Sequence, residues 1–159
     1  MPDLKEELHR KLQASRAVLL AKLGNLSEYD RRRPMTPTGT NLLGLVKHLA
    51  GLEYGYLGES FGYPAPESMP WVEDGSIWQG ADMWAKASES SEYITGLYRR
   101  ACAHADGVIA ALNLEAPGSV AHSPDQDVSD EATWREYTAR VQAAAETFVT
   151  DPEGHGVSR

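Results

Sequence analysis

Apolar side chains recur every three or four positions over four long segments of this 159-residue chain, and this helical period constrains the fold more than any other feature. We find no segment that competes as a β-strand. The pattern therefore predicts an all-α protein. The clearest segment carries its apolar stripe on Ile94, Leu97, Tyr98, Ala101, Ala105, Val108, Ile109 and Leu112.

Helix-capping and turn-forming residues set the expected ends of the four helices. Asp3 is a candidate N-cap for the first helix, and Gly24 follows its last apolar residue. Thr38 or Thr40 is expected to cap the second helix, and Ser129 the fourth. The predicted helices cover residues 3–23, 40–60, 83–112 and 129–149.

Each of these helices has one apolar stripe that it cannot bury alone, which predicts a four-helix bundle. The chain length suits a single domain, so we expect residues 1–159 to form one unit. The loop between Gly62 and Gly80 is long and rich in Pro and Trp. Loops of this kind often line binding sites, and the alternative is that its aromatic side chains close one end of the bundle.

Charge and composition argue against several classes of protein. The net charge of −8 opposes binding to a nucleic acid backbone. No apolar run reaches the ~18–20 residues of a membrane span, and the N-terminus lacks the apolar core of a signal peptide, so we expect a cytoplasmic protein without a membrane partner. Cys102 is the only cysteine, which rules out an internal disulfide. We expect it to be a small buried residue, with a pKa lowered by Arg99 as the alternative.

The second predicted helix carries the strongest candidate for chemistry, His48. At ~100° per residue, His48 lies at the edge of an apolar sector and can face the bundle interior. That sector is formed by Leu42, Leu45, Leu49, Leu52 and Tyr56.

Four glycines form a strip beside His48, at positions 44, 51, 55 and 58. Each glycine inside a helix costs ~1 kcal/mol relative to alanine, so four on one strip suggest a purpose. Another helix packs unusually close there, which we favour, or the missing side chains leave room for a ligand beside the imidazole.

Other titratable residues are more ambiguous. His104 lies at the edge of the third stripe, and we expect a boundary residue there rather than a ligand. Glu53 points near an apolar sector and needs a partner, for which Arg99 and Arg100 are candidates. Residues 31–33, three arginines, are expected to form a solvated turn, with anion binding as the alternative. No two histidines are spaced for one helix face, so spacing alone gives weak support for a metal site.

Two stretches resemble a known family. The run RPMTPTGTNLLGLVKHLAGLE at residues 33–53 is similar to the DinB-like superfamily, in particular its mini-circle protein branch. The run EYITGLYRRACAHAD at residues 92–106 resembles the same branch, and the likeness covers about residues 1–120, with the C-terminal part unmatched. It implies a DinB-like four-helix bundle with a crossover, a homodimer, and a divalent metal, zinc or nickel, held by three histidines of which the first matches His48. Relatives use this metal to lower the pKa of a small thiol, such as mycothiol or bacillithiol, in transferase or isomerase chemistry.

The resemblance also implies two histidines four residues apart on the fourth helix, and residues 129–149 contain none. We therefore favour a DinB-like protein whose metal site is degenerate and which is non-catalytic. The alternative is a divalent-metal-dependent transferase or isomerase that uses a low-molecular-weight thiol and holds its metal through His48. In that case Glu146, His104 or His122 would complete the site.

Overall fold

The computed structural model describes residues 3–120 together with Ala139. Within this part of the chain it contains five α-helices and no strand, which confirms the predicted all-α class. None of the described helices is long and apolar enough to cross a membrane. The predicted helix at 129–149 lies outside the described residues except for the helical Ala139. The helices are α1 Leu4–Gly24, α2 Glu28–Arg32, α3 Leu42–Tyr56, α4 Pro70–Glu73 and α5 Ser91–Ala111, with 3-10 turns at Glu59–Phe61 and Ser76–Gln79.

Side-chain caps determine where α1 and α3 begin. The Asp3 carboxylate accepts a hydrogen bond from the Lys5 backbone N–H at 3.0 Å, as the sequence predicts. Asn41 caps α3 by accepting from the Gly44 N–H, so the predicted start at residue 40 is slightly early and neither Thr38 nor Thr40 is the cap. The predicted end at residue 60 is also wrong, because the backbone leaves the helical conformation at the C-cap Leu57 and enters a 3-10 turn at Glu59–Phe61.

Helix α5 begins eight residues later than predicted, at Ser91 instead of residue 83. Ser90 caps it by accepting from the Tyr93 N–H at 3.0 Å. Residues 83–85 are unavailable for the helix because their backbone is bonded to α3 and to its N-cap, Asn41. The Ala85 N–H, for example, donates to the Asn41 side-chain oxygen at 3.2 Å. The short α2, capped by Ser27, was not predicted.

The core lies mainly between α3 and α5. The α5 stripe is confirmed, since six of its eight predicted residues are buried and the other two are half-buried. The α3 stripe is wrong: its leucines at 42, 45, 49 and 52 are only half-buried and Tyr56 is 55% exposed. The face of α3 that is buried instead carries Leu43, Val46, Lys47, Ala50, Glu53 and Tyr54.

Two charged residues on this buried face explain the difference. The apolar pattern leaves Lys47 on the solvent side and places Glu53 only near the apolar sector, whereas tertiary partners satisfy both inside the fold. Arg16 of α1 binds the Glu53 carboxylate through two hydrogen bonds, and Arg16 also contacts Asp106 of α5 at 2.6 Å. This buried network connects α1, α3 and α5.

Candidate functional site

His48 lies on α3 with its side chain 31% exposed, and one ring nitrogen is held by a carboxylate. Its Nδ1 is 2.6 Å from Oδ2 of Asp82, whose side chain is almost fully buried. An ionised carboxylate can only accept, so Nδ1 donates and carries the proton. No described residue contacts Nε2 by a hydrogen bond. In the neutral ring, Nε2 thus carries a lone pair that no described residue occupies, and the His48 side chain as a whole is partly exposed.

Backbone contacts hold Asp82 in place against α3. The residues on both sides of Asp82 are bonded to that helix: Lys47 donates to the Ala81 carbonyl at 2.7 Å, and the Met83 carbonyl accepts from the Asn41 N–H at 3.3 Å. We call residues 81–86 the anchored segment. Because it is bonded to α3 on both sides of Asp82, the carboxylate is positioned by the same helix that carries His48.

Lys47 is the central anchor of this arrangement. Its ammonium is fully buried, makes an ion pair of 2.8 Å with Glu89, and lies 4.2 Å from the centre of the Trp71 ring. Burial lowers the pKa of Lys47, while the Glu89 carboxylate acts in the opposite direction. Trp71 comes from the loop between Gly62 and Gly80. At this residue the loop therefore packs against the core rather than lining an open site.

The glycine strip divides into two kinds of position. A Cβ at Gly44 would overlap the Met83 carbonyl oxygen and the Trp84 Cα. A Cβ at Gly58 would lie 2.7 Å from the backbone carbonyl oxygen of Tyr63. Close packing is therefore confirmed at these two positions, but the predicted partner, another helix, is wrong, because the approaching backbone belongs to residues 83 and 84 at Gly44 and to Tyr54 and Tyr63 at Gly58. Close packing does not explain Gly51 and Gly55, because an added Cβ there would meet no described atom within 4 Å, and room for a ligand beside His48 stays a prediction.

His104 does not lie beside His48. Its Nε2 is 3.0 Å from the Tyr63 carbonyl oxygen, and its ring centre is 5.4 Å from that of Tyr54. It also borders Gly58, which is ten residues beyond His48 and so roughly 15 Å further along the α3 direction. His104 is thus a half-buried boundary residue, as expected, and is too distant to share one metal ion with His48.

The described residues contain no group of three or more His, Cys, Asp or Glu side chains able to hold a metal. His122 and Glu146, the other candidate donors, lie outside the described part of the chain. His48 thus stays the predicted donor, and residues 3–120 do not by themselves complete a three-donor site.

The remaining candidates have structural roles. Burial raises the pKa of the Cys102 thiol to about 11, and the Glu53 carboxylate adds to the effect, so the alternative of an activated cysteine beside Arg99 is wrong. Glu53 pairs with Arg16 rather than with Arg99 or Arg100.

The three arginines at 31–33 do not form a freely solvated turn. Arg32 is buried and donates to the Lys86 and Glu89 carbonyl oxygens, which ties α2 to the region before α5. Arg31 and Arg33 pair with carboxylates of their own helix region, Glu28 and Asp30. All three guanidinium groups are therefore engaged, and neither sequence interpretation of this turn describes it.

The sequence model of the mycothiol-S-transferase family matches residues 7–147 of the chain. The chain belongs to that family. The match confirms the predicted kinship and continues past residue 120, where the resemblance read from the sequence ends, while residues 148–159 lie outside it. No curated protein and no solved structure matches the chain.

One residue of this family member's site was missed by sequence reasoning: Asp82. It lies 34 positions from His48, so no helical spacing connects the two. The only local signal is an acid between Ala81 and Met83 in a short apolar run. Such an acid needs a buried partner, but the sequence does not say which one.

Proposed function

We propose that this member of the mycothiol-S-transferase family is a divalent-metal-dependent transferase that uses a low-molecular-weight thiol and holds its metal through His48. The orientation of His48 carries the proposal: Nδ1 is bound to Asp82, and Nε2 has no hydrogen-bond partner among the described residues. Metal-bound imidazoles almost always donate their second ring N–H to a carboxylate, a carbonyl or water. The family match over residues 7–147 supports the thiol as co-substrate.

In this proposal His48 and Asp82 have different roles at the metal. A bound divalent metal would lower the pKa of a thiol that coordinates it. His48 offers Nε2, Asp82 keeps the ring in that orientation, and the partial exposure of His48 gives access from solvent. Further metal donors are needed, because the described residues contain no group of three or more possible ligands. Glu146 and His122 stay predictions for this role, and a carboxylate in place of an imidazole is chemically acceptable.

A second candidate is a non-catalytic, binding or oligomerising bundle whose metal site has degenerated. The sequence of residues 129–149 favours it, because that stretch has no histidine where the resemblance implies two. The two candidates differ in metal binding and can be separated by one set of measurements.

Calorimetric titration of the full chain with Zn²⁺ and Ni²⁺ is the deciding experiment. The first candidate predicts a Kd in the micromolar range or below, at one ion per chain, weakened at least tenfold by His48→Ala. His104→Ala is the matched control and should leave the affinity unchanged, because His104 lies elsewhere in the fold. No binding to any of the three proteins would support the second candidate and refute the first.

Thiol use is tested separately on the Co²⁺-loaded protein. Adding mycothiol should produce a thiolate-to-metal charge-transfer band, and methionine at the same concentration should not. A spectrum unchanged by mycothiol would contradict the assignment of this thiol.

We also propose that the protein is a homodimer, as the family likeness implies. Light scattering at micromolar concentration should then give twice the chain mass of 17.4 kDa. The cytoplasmic location and the single domain over residues 1–159 stay predictions.

A further inference from the structure

We infer that Asp82 is a positioning residue, which fixes His48 as the tautomer protonated on Nδ1 and so makes Nε2 the nitrogen presented to an incoming metal. The inference rests on the proposed function for its purpose, while the tautomer itself is a property of the metal-free protein.

The hydrogen bond between the two side chains carries the first step. In a free neutral imidazole either nitrogen can hold the proton. Here the Asp82 carboxylate, 2.6 Å from Nδ1, can only accept, and a charge-assisted hydrogen bond of this length is among the stronger kinds. The opposite tautomer would place a lone pair against the carboxylate and leave a nearly buried charge unpaired, which is costly.

The rigidity of the anchored segment carries the second step. Ala81 and Met83, directly before and after Asp82, are both bonded to α3. Gly44 allows this close approach, since a side chain there would overlap the backbone of residues 83 and 84. Lys47, which holds Ala81, is the neighbour of His48 in the chain. The carboxylate therefore cannot withdraw without breaking buried contacts, and the imidazole is held in advance of binding.

The test begins with the metal-free full chain. Long-range ¹H–¹⁵N spectra of histidine-labelled protein at pH 8, above the ordinary histidine pKa of ~6.5, report which ring nitrogen carries the proton. His48, identified by its absence in His48→Ala, should show a protonated Nδ1 and an unprotonated Nε2. Asp82→Ala should show a mixture of the two tautomers.

Zn²⁺ affinity provides the second readout. Loss of an outer carboxylate of this kind typically costs 10–100-fold in metal affinity, so we expect that loss in Asp82→Ala. Asp82→Asn keeps an oxygen that can accept from Nδ1, so its Zn²⁺ affinity should fall between those of Asp82→Ala and the parent protein. If Asp82→Ala does not fold, Asp82→Asn replaces it in the test. Asp74→Ala is the control, because Asp74 is an exposed acid of the same loop region and should leave affinity and tautomer unchanged.

The outcomes separate this inference from the proposed function. If His48 in the parent protein carries its proton on Nε2, or if both Asp82 variants keep the parent tautomer and affinity, the inference is overturned even where metal binds. If the parent shows the Nδ1–H tautomer, Asp82→Ala loses it, and no protein binds Zn²⁺, the inference stands and the proposed function fails.

Discussion

At the scale of single residues, the guanidinium of Arg16 connects three helices. It binds the Glu53 carboxylate through two nitrogens and Asp106 through a third. Arg16 and Glu53 are both buried, so removing one partner leaves an uncompensated charge away from water. Exposed pairs lack this penalty because water replaces the lost partner.

Glu53→Gln should therefore lower the free energy of unfolding by about 3 kcal/mol, the lower end for a broken buried pair, because Asp106 still contacts Arg16. Urea unfolding followed by circular dichroism measures this. Glu7→Gln is the matched control, since the Glu7–Lys11 pair is exposed and should contribute less than about 1 kcal/mol. Equal effects of the two substitutions would contradict the assignment.

Cys102 should react slowly with alkylating reagents. Its pKa of about 11, raised by burial from the ordinary 9.0, reduces the thiolate fraction at pH 8 by roughly 100-fold. Iodoacetamide should thus modify the folded protein at least about 100-fold more slowly than the urea-unfolded chain, because only the thiolate is nucleophilic. Similar rates in both states would show that the thiol is neither buried nor shifted.

At the scale of elements, α3 and the anchored segment behave as one unit. Asn41, Gly44 and Lys47 recur at spacings of three along α3, and all three contact the anchored segment. This contact explains why helix α5 begins at Ser91 rather than at residue 83. Both α1 and α5 have local caps, Asp3 and Ser90, but the prediction started α5 early because residues 83–85 are bonded to a helix some 40 positions earlier in the chain.

Gly44→Ala should destabilise the protein by at least 1–3 kcal/mol, because the added Cβ would displace the backbone of residues 83 and 84. Gly107→Ala, on an exposed position of α5 that meets no described atom within 4 Å, should instead gain up to about 1 kcal/mol from helix propensity. Thermal unfolding of both variants checks the pair. The same sign of change in both would refute the close approach at Gly44.

At the scale of the whole molecule, paired carboxylates join distant parts of the chain. A hydrogen bond from Ser91 and the nearby Arg32 hold the pKa of Glu28 below its ordinary value. The Arg100 guanidinium does the same for the pKa of Glu67. Burial acts to raise the pKa of Asp106, but hydrogen bonds from His9 and Arg16 outweigh it and the net shift is downward.

These lowered pKa values predict acid sensitivity. A carboxylate whose pKa is lower in the folded state contributes stability above its unfolded pKa, here 3.8 for Asp and 4.5 for Glu, and this contribution is lost as the pH falls. The melting temperature should thus decrease from about pH 5 downward. Glu67→Gln should lower it at pH 7 and flatten its dependence on acid. A melting temperature that rises on acidification would contradict the pairing.

The all-α class, the spans of α1 and most of α5, and the family kinship could all be predicted from the sequence, as could His48 as the candidate residue. Each of these depends on local periodicity, a cap or a contiguous motif. Only the tertiary structure decided which face of α3 is buried, that Arg16 is the partner of Glu53, and that Asp82 orients His48. These pairings join residues more than 30 positions apart. They arise because buried charges must find partners wherever the fold brings them, and no local spacing encodes that choice.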